Sequence, residues 1–405
     1  MTDAHVDDRI ARRNAAVLAC AQALGGANPA IVVSLGGLVG ASLAPTPDLA
    51  TLPVSVLQVG LALGTIPAAM LMRRVGRRGG YFLGALIGTL AGSVAAAGIA
   101  LSSFLIFCLG TCLAGFYASF VQSYRFAAVD HASEAFKPRA IAWVMAGGLA
   151  AGIIGPQTVI WTRDLLPTTA FAGGFLGQAA LALLSVGALS LLRAGPAPAF
   201  VPGATAGGRP LGEIMRQPRF IVAVATGLVT FGLMSFVMTA APLAMVVECG
   251  HSVASATLGI QWHILAMYGP SFVTGRLISR YGKERVVIAG LLLTAAAAAI
   301  GLLGITVAHF WIALILLGIG WNLGFIGATA LVTDCYRPEE RAKVQAANDF
   351  LVFGCVAVAS LSSGKLLSVG GWAAINWLVL PPVAALLVIL VLRLRHASRA
   401  APAVA

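Results

Sequence analysis

Two pairs of side chains in the second half of the chain carry its most distinctive chemistry. Met234 and Met238 are spaced i,i+4, and so are His263 and Met267, so each pair falls on one face of a helix. Arg219 and Arg280 mark the same-side ends of the two apolar segments that hold them. Counting from those arginines, Met234 lies about 22 Å deep, Met238 about 28 Å, Met267 about 20 Å and His263 about 26 Å. Antiparallel neighbours would set Met234 level with Met267, and Met238 level with His263. Thioether and imidazole are soft, neutral ligands that suit Cu(I) and suit Mg²⁺ or Ca²⁺ poorly. They hold a monovalent ion without burying protein charge. The competing roles are plain packing for the methionines and hydrogen bonding or proton transfer for the histidine.

Cysteines form a second soft set. Cys249 stands in Glu248-Cys249-Gly250-His251 at the far end of the same apolar segment, where thiol, carboxylate and imidazole suit capture of a metal ion. Cys108 and Cys112 are another i,i+4 pair, and Cys20 lies in the first apolar segment. Buried cysteines otherwise serve as small hydrophobes. A third set comprises Gln58, Gln122, Gln157, Gln178, Gln261, Asn322 and Asn348 with Trp143, Trp262 and Trp321. These suit either a cavity for a planar organic solute or hydrogen bonds between helices. No acidic residue falls clearly at a helix midpoint. No phosphate-binding Walker sequence and no nucleophile–base arrangement is present. The expectation is therefore a protein that is not an enzyme, is not ATP-driven and has no cofactor.

The elements that position these residues follow from composition. Of 405 residues, 59% are hydrophobic and 10% charged, against about 25% charged in soluble domains. That excludes both a water-soluble fold and a disordered chain. At about 20 apolar residues per spanning helix, plus loops, the length accommodates about twelve spans. They are expected near 14–42, 51–72, 79–100, 104–128, 139–162, 168–193, 218–247, 254–279, 286–306, 308–333, 342–364 and 372–394. The expected organisation is an N-terminal segment 1–13, a six-helix bundle 14–193, a Pro/Gly-rich linker 194–217, a second bundle 218–394 and a tail 395–405. No cleavable signal peptide is expected, because the segment after Arg13 is too long for a signal core. The net charge of +12 does not imply nucleic acid. All 26 lysines and arginines except Arg163 and Lys365 fall on one side, which the positive-inside rule makes cytoplasmic, with both termini.

The two halves repeat. Residues 69–78 after span 2 hold Leu71, Arg74, Gly76, Arg77 and Arg78. Residues 275–284 after span 8 hold Gly275, Leu277, Arg280, Gly282 and Lys283. Asp130 after span 4 is matched by Asp334 after span 10, with Arg125 just inside span 4. On these motifs the chain resembles the major facilitator superfamily over essentially its whole length. Ala69 and Arg73 depart from the family's first copy, and Ser279 from its second. The resemblance implies an all-α membrane protein with twelve transmembrane helices in two pseudo-symmetric bundles, working by alternating access. It also implies gating roles for Arg74, Gly76, Arg77, Arg78, Arg125, Asp130, Arg280 and Asp334.

Met-x-x-x-Met in span 7 and His-x-x-x-Met in span 8 narrow the resemblance to the CcoA-type copper importers, a branch that riboflavin importers share. It implies that Met234, Met238, His263 and Met267 bind copper during import across the bacterial inner membrane, and it favours a role for Cys249. Cys108, Cys112, Cys20 and His251 are secondary candidates. The expected partners are the copper ion, the lipid bilayer and copper chaperones of cytochrome oxidase assembly. The alternatives are an importer of riboflavin or another small organic solute, and a proton-coupled drug exporter.

Overall fold

The computed structural model describes residues 8–130, 132–133, 136–193 and 208–400, and among them it is helical, with no strand. The linker expected at 194–217 lies outside the described residues up to position 207. Beyond it stands a short helix, Leu211–Met215.

Among the described residues, nine helices are long and apolar enough to cross a membrane. Two of them are double. The helix Leu52–Ala100 breaks at Gly76, and Arg341–Ala400 breaks at Gly371. A further crossing is divided into Val253–Tyr268 and Ser271–Tyr281 around Gly269-Pro270. Twelve crossings result, numbered here in chain order as spans 1 to 12. Span 1 is Arg9–Leu43, span 4 Phe104–Gln122 and span 5 Lys137–Thr162. Span 6 is Ala172–Ser190, span 7 Pro218–Leu243, span 8 covers 253–281, span 9 is Lys283–Leu303 and span 10 is Val307–Thr333. Spans 2 and 3 are the two parts of 52–100, and spans 11 and 12 the two parts of 341–400.

Helix ends differ from expectation for a physical reason. Span 1 starts at Arg9, not near 14. Apolarity marks the stretch inside the membrane, but arginine-rich flanks are good helix formers and extend the helix into water. The same propensity reduces the expected loop after span 2 to Gly76 alone. Its φ of 75° with ψ of 164° is a conformation open almost only to glycine. Gly282, 206 positions on, has φ 88° and ψ 157° and makes the equivalent turn after span 8. Arg77 bonds Asp130 beside the first turn, Nη2 to Oδ1 at 2.8 Å, and Lys283 bonds Asp334 beside the second at 2.6 Å. The internal repeat is thus visible in backbone and side chains alike.

Glycines let the helices approach. A Cβ on Gly60 of span 2 would stand 2.1 Å from the Cys112 carbonyl oxygen of span 4, and one on Gly115 would stand 1.9 Å from the Leu57 oxygen. Such contact maximises dispersion between helices, which is what holds spans together in lipid.

The bundles meet along a seam on the side away from the basic loops. There Gln157 of span 5 faces Gln261 of span 8 at 2.9 Å, and Ser55 of span 2 donates to Ser360 of span 11 at 3.1 Å. A Cβ on Gly152 would lie 2.7 Å from Ile264 Cγ2, and one on Gly364 would lie 2.3 Å from Thr51 Oγ1. Toward the basic loops the contact ends. A Cβ on Gly148, one turn from Gly152, would meet nothing within 4 Å, and the same holds for Gly354. Contact between the bundles is thus concentrated on the side away from the basic loops.

Candidate functional site

Met234, Met238, His263 and Met267 are all buried, and the three methionines belong to one apolar core. The histidine is committed to span 10: its Nδ1 is 2.7 Å from the Leu314 carbonyl oxygen. Span 8 rides directly on span 10 here, since a Cβ on Gly318 would stand 2.6 Å from the His263 oxygen and 3.1 Å from the Met267 nitrogen. His263 Nε2 is buried with no protein partner.

The second soft set does not converge. Glu248 Oε2 accepts from the Trp372 backbone N–H at 3.2 Å, at the start of span 12. His251 Nε2 lies 2.7 Å from the Ile305 oxygen, in the turn before span 10. Cys249 is partly buried against the C-terminal core. Cys108 and Cys112 are partly buried on span 4, and Cys20 is exposed on span 1. Among the described residues no three His, Cys, Asp or Glu side chains form a group able to hold a metal ion.

Of the basic-side residues, Arg78 donates to the Ser190 oxygen at 2.9 Å, Arg74 is exposed, and Arg280 sits over the Tyr281 ring at 5.3 Å. Arg125 stacks over Phe126 at 4.9 Å.

The planar-solute set divides. Asn322 is spent on structure, bonding the Met267 oxygen, Ser271 and Thr274. Trp143 and Trp262 are each 42% exposed. Trp321 is different. It is only 8% exposed and stacks on Phe325 with centroids 5.2 Å apart and planes at 15°. Phe231 meets Trp321 at 5.3 Å, Phe325 at 4.9 Å and Phe353 at 5.9 Å, and Tyr268 meets Trp321 at 6.3 Å. Five rings thus come from spans 7, 8, 10 and 11. Trp321 Nε1 is buried without a partner.

Sequence reasoning found only Trp321 of the five. A signal existed. Phe231, Tyr268 and Phe353 each stand twelve residues from the arginine that starts or ends their span, and Trp321 stands thirteen from Asp334. All four therefore lie about 18–20 Å deep.

A family model described as "Major Facilitator Superfamily" matches residues 15–271 and 238–404. The riboflavin transporter RfnT of Brucella anthropi is 60% identical over 404 residues, covering the whole of both chains. The MFS-type transporter YddS of Bacillus subtilis is 28% identical over 400 residues, 93% of this chain and 91% of the relative. Among solved structures, the nucleoside transporter NupG superposes with a TM-score of 0.70 at 13% identity, covering 95% and 98% of the two chains. A bacterial homologue of the human lysosomal transporter Spinster, in an inward-facing and unoccupied conformation, gives 0.68 at 13%, covering 95% and 96%. At that identity the two structures establish the fold.

The full-length relationship to a riboflavin transporter overturns the expectation of copper import. With it fall copper as substrate and the copper chaperones as partners. In the fold, His263 hydrogen-bonds span 10 and the methionines fill an apolar core, the ordinary work of thioethers.

Proposed function

We propose that this chain, which belongs to the major facilitator superfamily, carries riboflavin inward across the bacterial inner membrane by alternating access. The observation that carries the reading is the 60% identity, over the entire length of both chains, to a riboflavin transporter. Both termini lie in the cytoplasm, so the side of the basic loops faces inward. The bundles 14–193 and 218–394 act as the rocking units.

The chemistry of the interior supports an uncharged, planar cargo. Riboflavin is neutral at physiological pH, so a site in low dielectric needs no counter-charge. It asks for flat apolar surfaces and a few hydrogen-bonding groups, and the five-ring cluster at mid-depth offers both. Alternating access requires the seam to part while the bundles close on the side of the basic loops. The bonds Gln157–Gln261 and Ser55–Ser360 are few and neutral, so separation exposes no buried ion. Arg77–Asp130 and Lys283–Asp334 each join elements of a single bundle. They brace the rocking units and need not break as the units move.

Expression in a riboflavin-requiring bacterium that lacks its own transporter tests the reading. Growth on low riboflavin is the expected result. Failure to grow with the protein present in the membrane overturns it.

A further inference from the structure

We infer that the rings of Phe231, Tyr268, Trp321, Phe325 and Phe353 form the seat for the three-ring isoalloxazine of the cargo, with the Trp321 indole N–H as its hydrogen-bond donor. The inference rests on the riboflavin reading and names the part of that molecule the C-terminal bundle grips.

Three observations carry it. The rings come from spans 7, 8, 10 and 11, and among the described residues none comes from spans 9 or 12. A cluster built this way is interior to the transport path, not an interfacial belt at the membrane surface. It also keeps accessible surface: Phe231, Tyr268, Phe325 and Phe353 are each only partly buried. Last, Trp321 Nε1 is buried and unpaired while the other large polar group of span 10 at this level, Asn322, is fully engaged. A buried donor without a partner is costly unless something supplies an acceptor. The carbonyl oxygens at the pyrimidine end of an isoalloxazine are such acceptors, and the dimethylbenzene end suits phenyl rings.

The geometry fits stacking. Trp321 and Phe325 are stacked with their planes 15° apart, while Phe231 stands edge-on at 69° to Trp321 and 65° to Phe325. A planar guest extends such a stack by offset stacking on an outer face, with the edge-on ring beside it. This recognises the ring system and not the ribityl chain.

The test uses the purified full chain and the fluorescence of the flavin itself, which stacking against an indole quenches. Variants Trp321→Phe and Phe231→Leu keep apolar volume, and Trp262→Phe is the control on an exposed indole. Parent protein is expected to bind riboflavin with quenching, and to bind lumiflavin, which lacks the polyol, by the same contacts. Trp321→Phe and Phe231→Leu should each weaken both flavins about fivefold, and Trp321→Phe should restore part of the emission. Trp262→Phe should behave as parent. Helix content and thermal midpoint are measured on every variant. Folded variants that bind both flavins as parent does overturn the seat and leave riboflavin transport standing. So does loss of riboflavin binding with lumiflavin binding intact. A parent that binds and transports no riboflavin overturns the functional reading, and the seat with it.

Discussion

Adding a single methyl group at Gly152 should tip the protein away from the state in which the seam is closed. In the structure a Cβ there falls 2.7 Å from Ile264 Cγ2 and 3.4 Å from Ile264 Cβ, across the seam between spans 5 and 8. Isoleucine is stiff at χ1, so the clash is relieved mainly by separating the bundles. Overpacking of this kind costs about 1–2 kcal/mol. Only the state with a closed seam bears that cost, so the population ratio should shift about 5- to 30-fold toward seam-open states. Alanine favours helix over glycine, so the helix itself is not weakened. Gly148→Ala is the matched control, because a Cβ there meets nothing within 4 Å. Spin labels at the exposed positions Leu101 and Leu303, on the seam side of each bundle, report the separation by electron–electron double resonance. Longer distances in Gly152→Ala, with Gly148→Ala as parent, are expected. An unchanged distribution in both, or an equal shift in both, refutes the seam as the element that sets the state.

Gly76→Ala or Gly282→Ala should each lower thermal stability by about 1–3 kcal/mol, read as a drop in the unfolding midpoint, since both glycines hold a positive-φ turn. Glu340 accepts from Arg209 Nε and Nη2 and from the backbone N–H groups of Arg209 and Arg337, and these hold its carboxyl well below the usual carboxylate range. A depressed folded value means stability that is present above the unfolded carboxylate range, near pH 4.3, and is lost as pH falls further. Glu340→Gln should therefore lower the unfolding midpoint at pH 7 relative to parent, with the gap narrowing progressively in acid below that range. His263→Ala should destabilise the protein by about 1–3 kcal/mol, because it strips the Leu314 carbonyl of a buried partner. A copper chelator should leave riboflavin uptake by the parent unchanged, checked by uptake with and without the chelator.

Much of the architecture was legible because bilayer thickness and charge asymmetry write themselves into sequence. Twelve apolar stretches, and the repeated glycine and acidic positions Gly76/Gly282 and Asp130/Asp334, led directly to paired bundles. The turn at Gly76 was misread as a loop, because hydropathy marks where the membrane ends and not where the helix ends. The cargo was misread for a different reason. Met234, Met238, His263 and Met267 share helix faces, but i,i+4 spacing cannot say which neighbour a face meets. His263 turned to span 10, where a carbonyl awaited it. The five-ring cluster went unseen because its members are scattered over four spans, and only Trp321 and Phe325 share a helix at i,i+4 spacing. Shared depth connects Phe231, Tyr268, Trp321 and Phe353 across the spans, and that becomes meaningful once the spans are packed.

Uptake of radiolabelled riboflavin by liposomes holding the purified protein addresses the central claim most directly. Saturable accumulation, blocked by excess unlabelled riboflavin and weakened by Phe231→Leu, is the predicted result. Liposomes with correctly inserted protein that take up no more label than empty ones would contradict it.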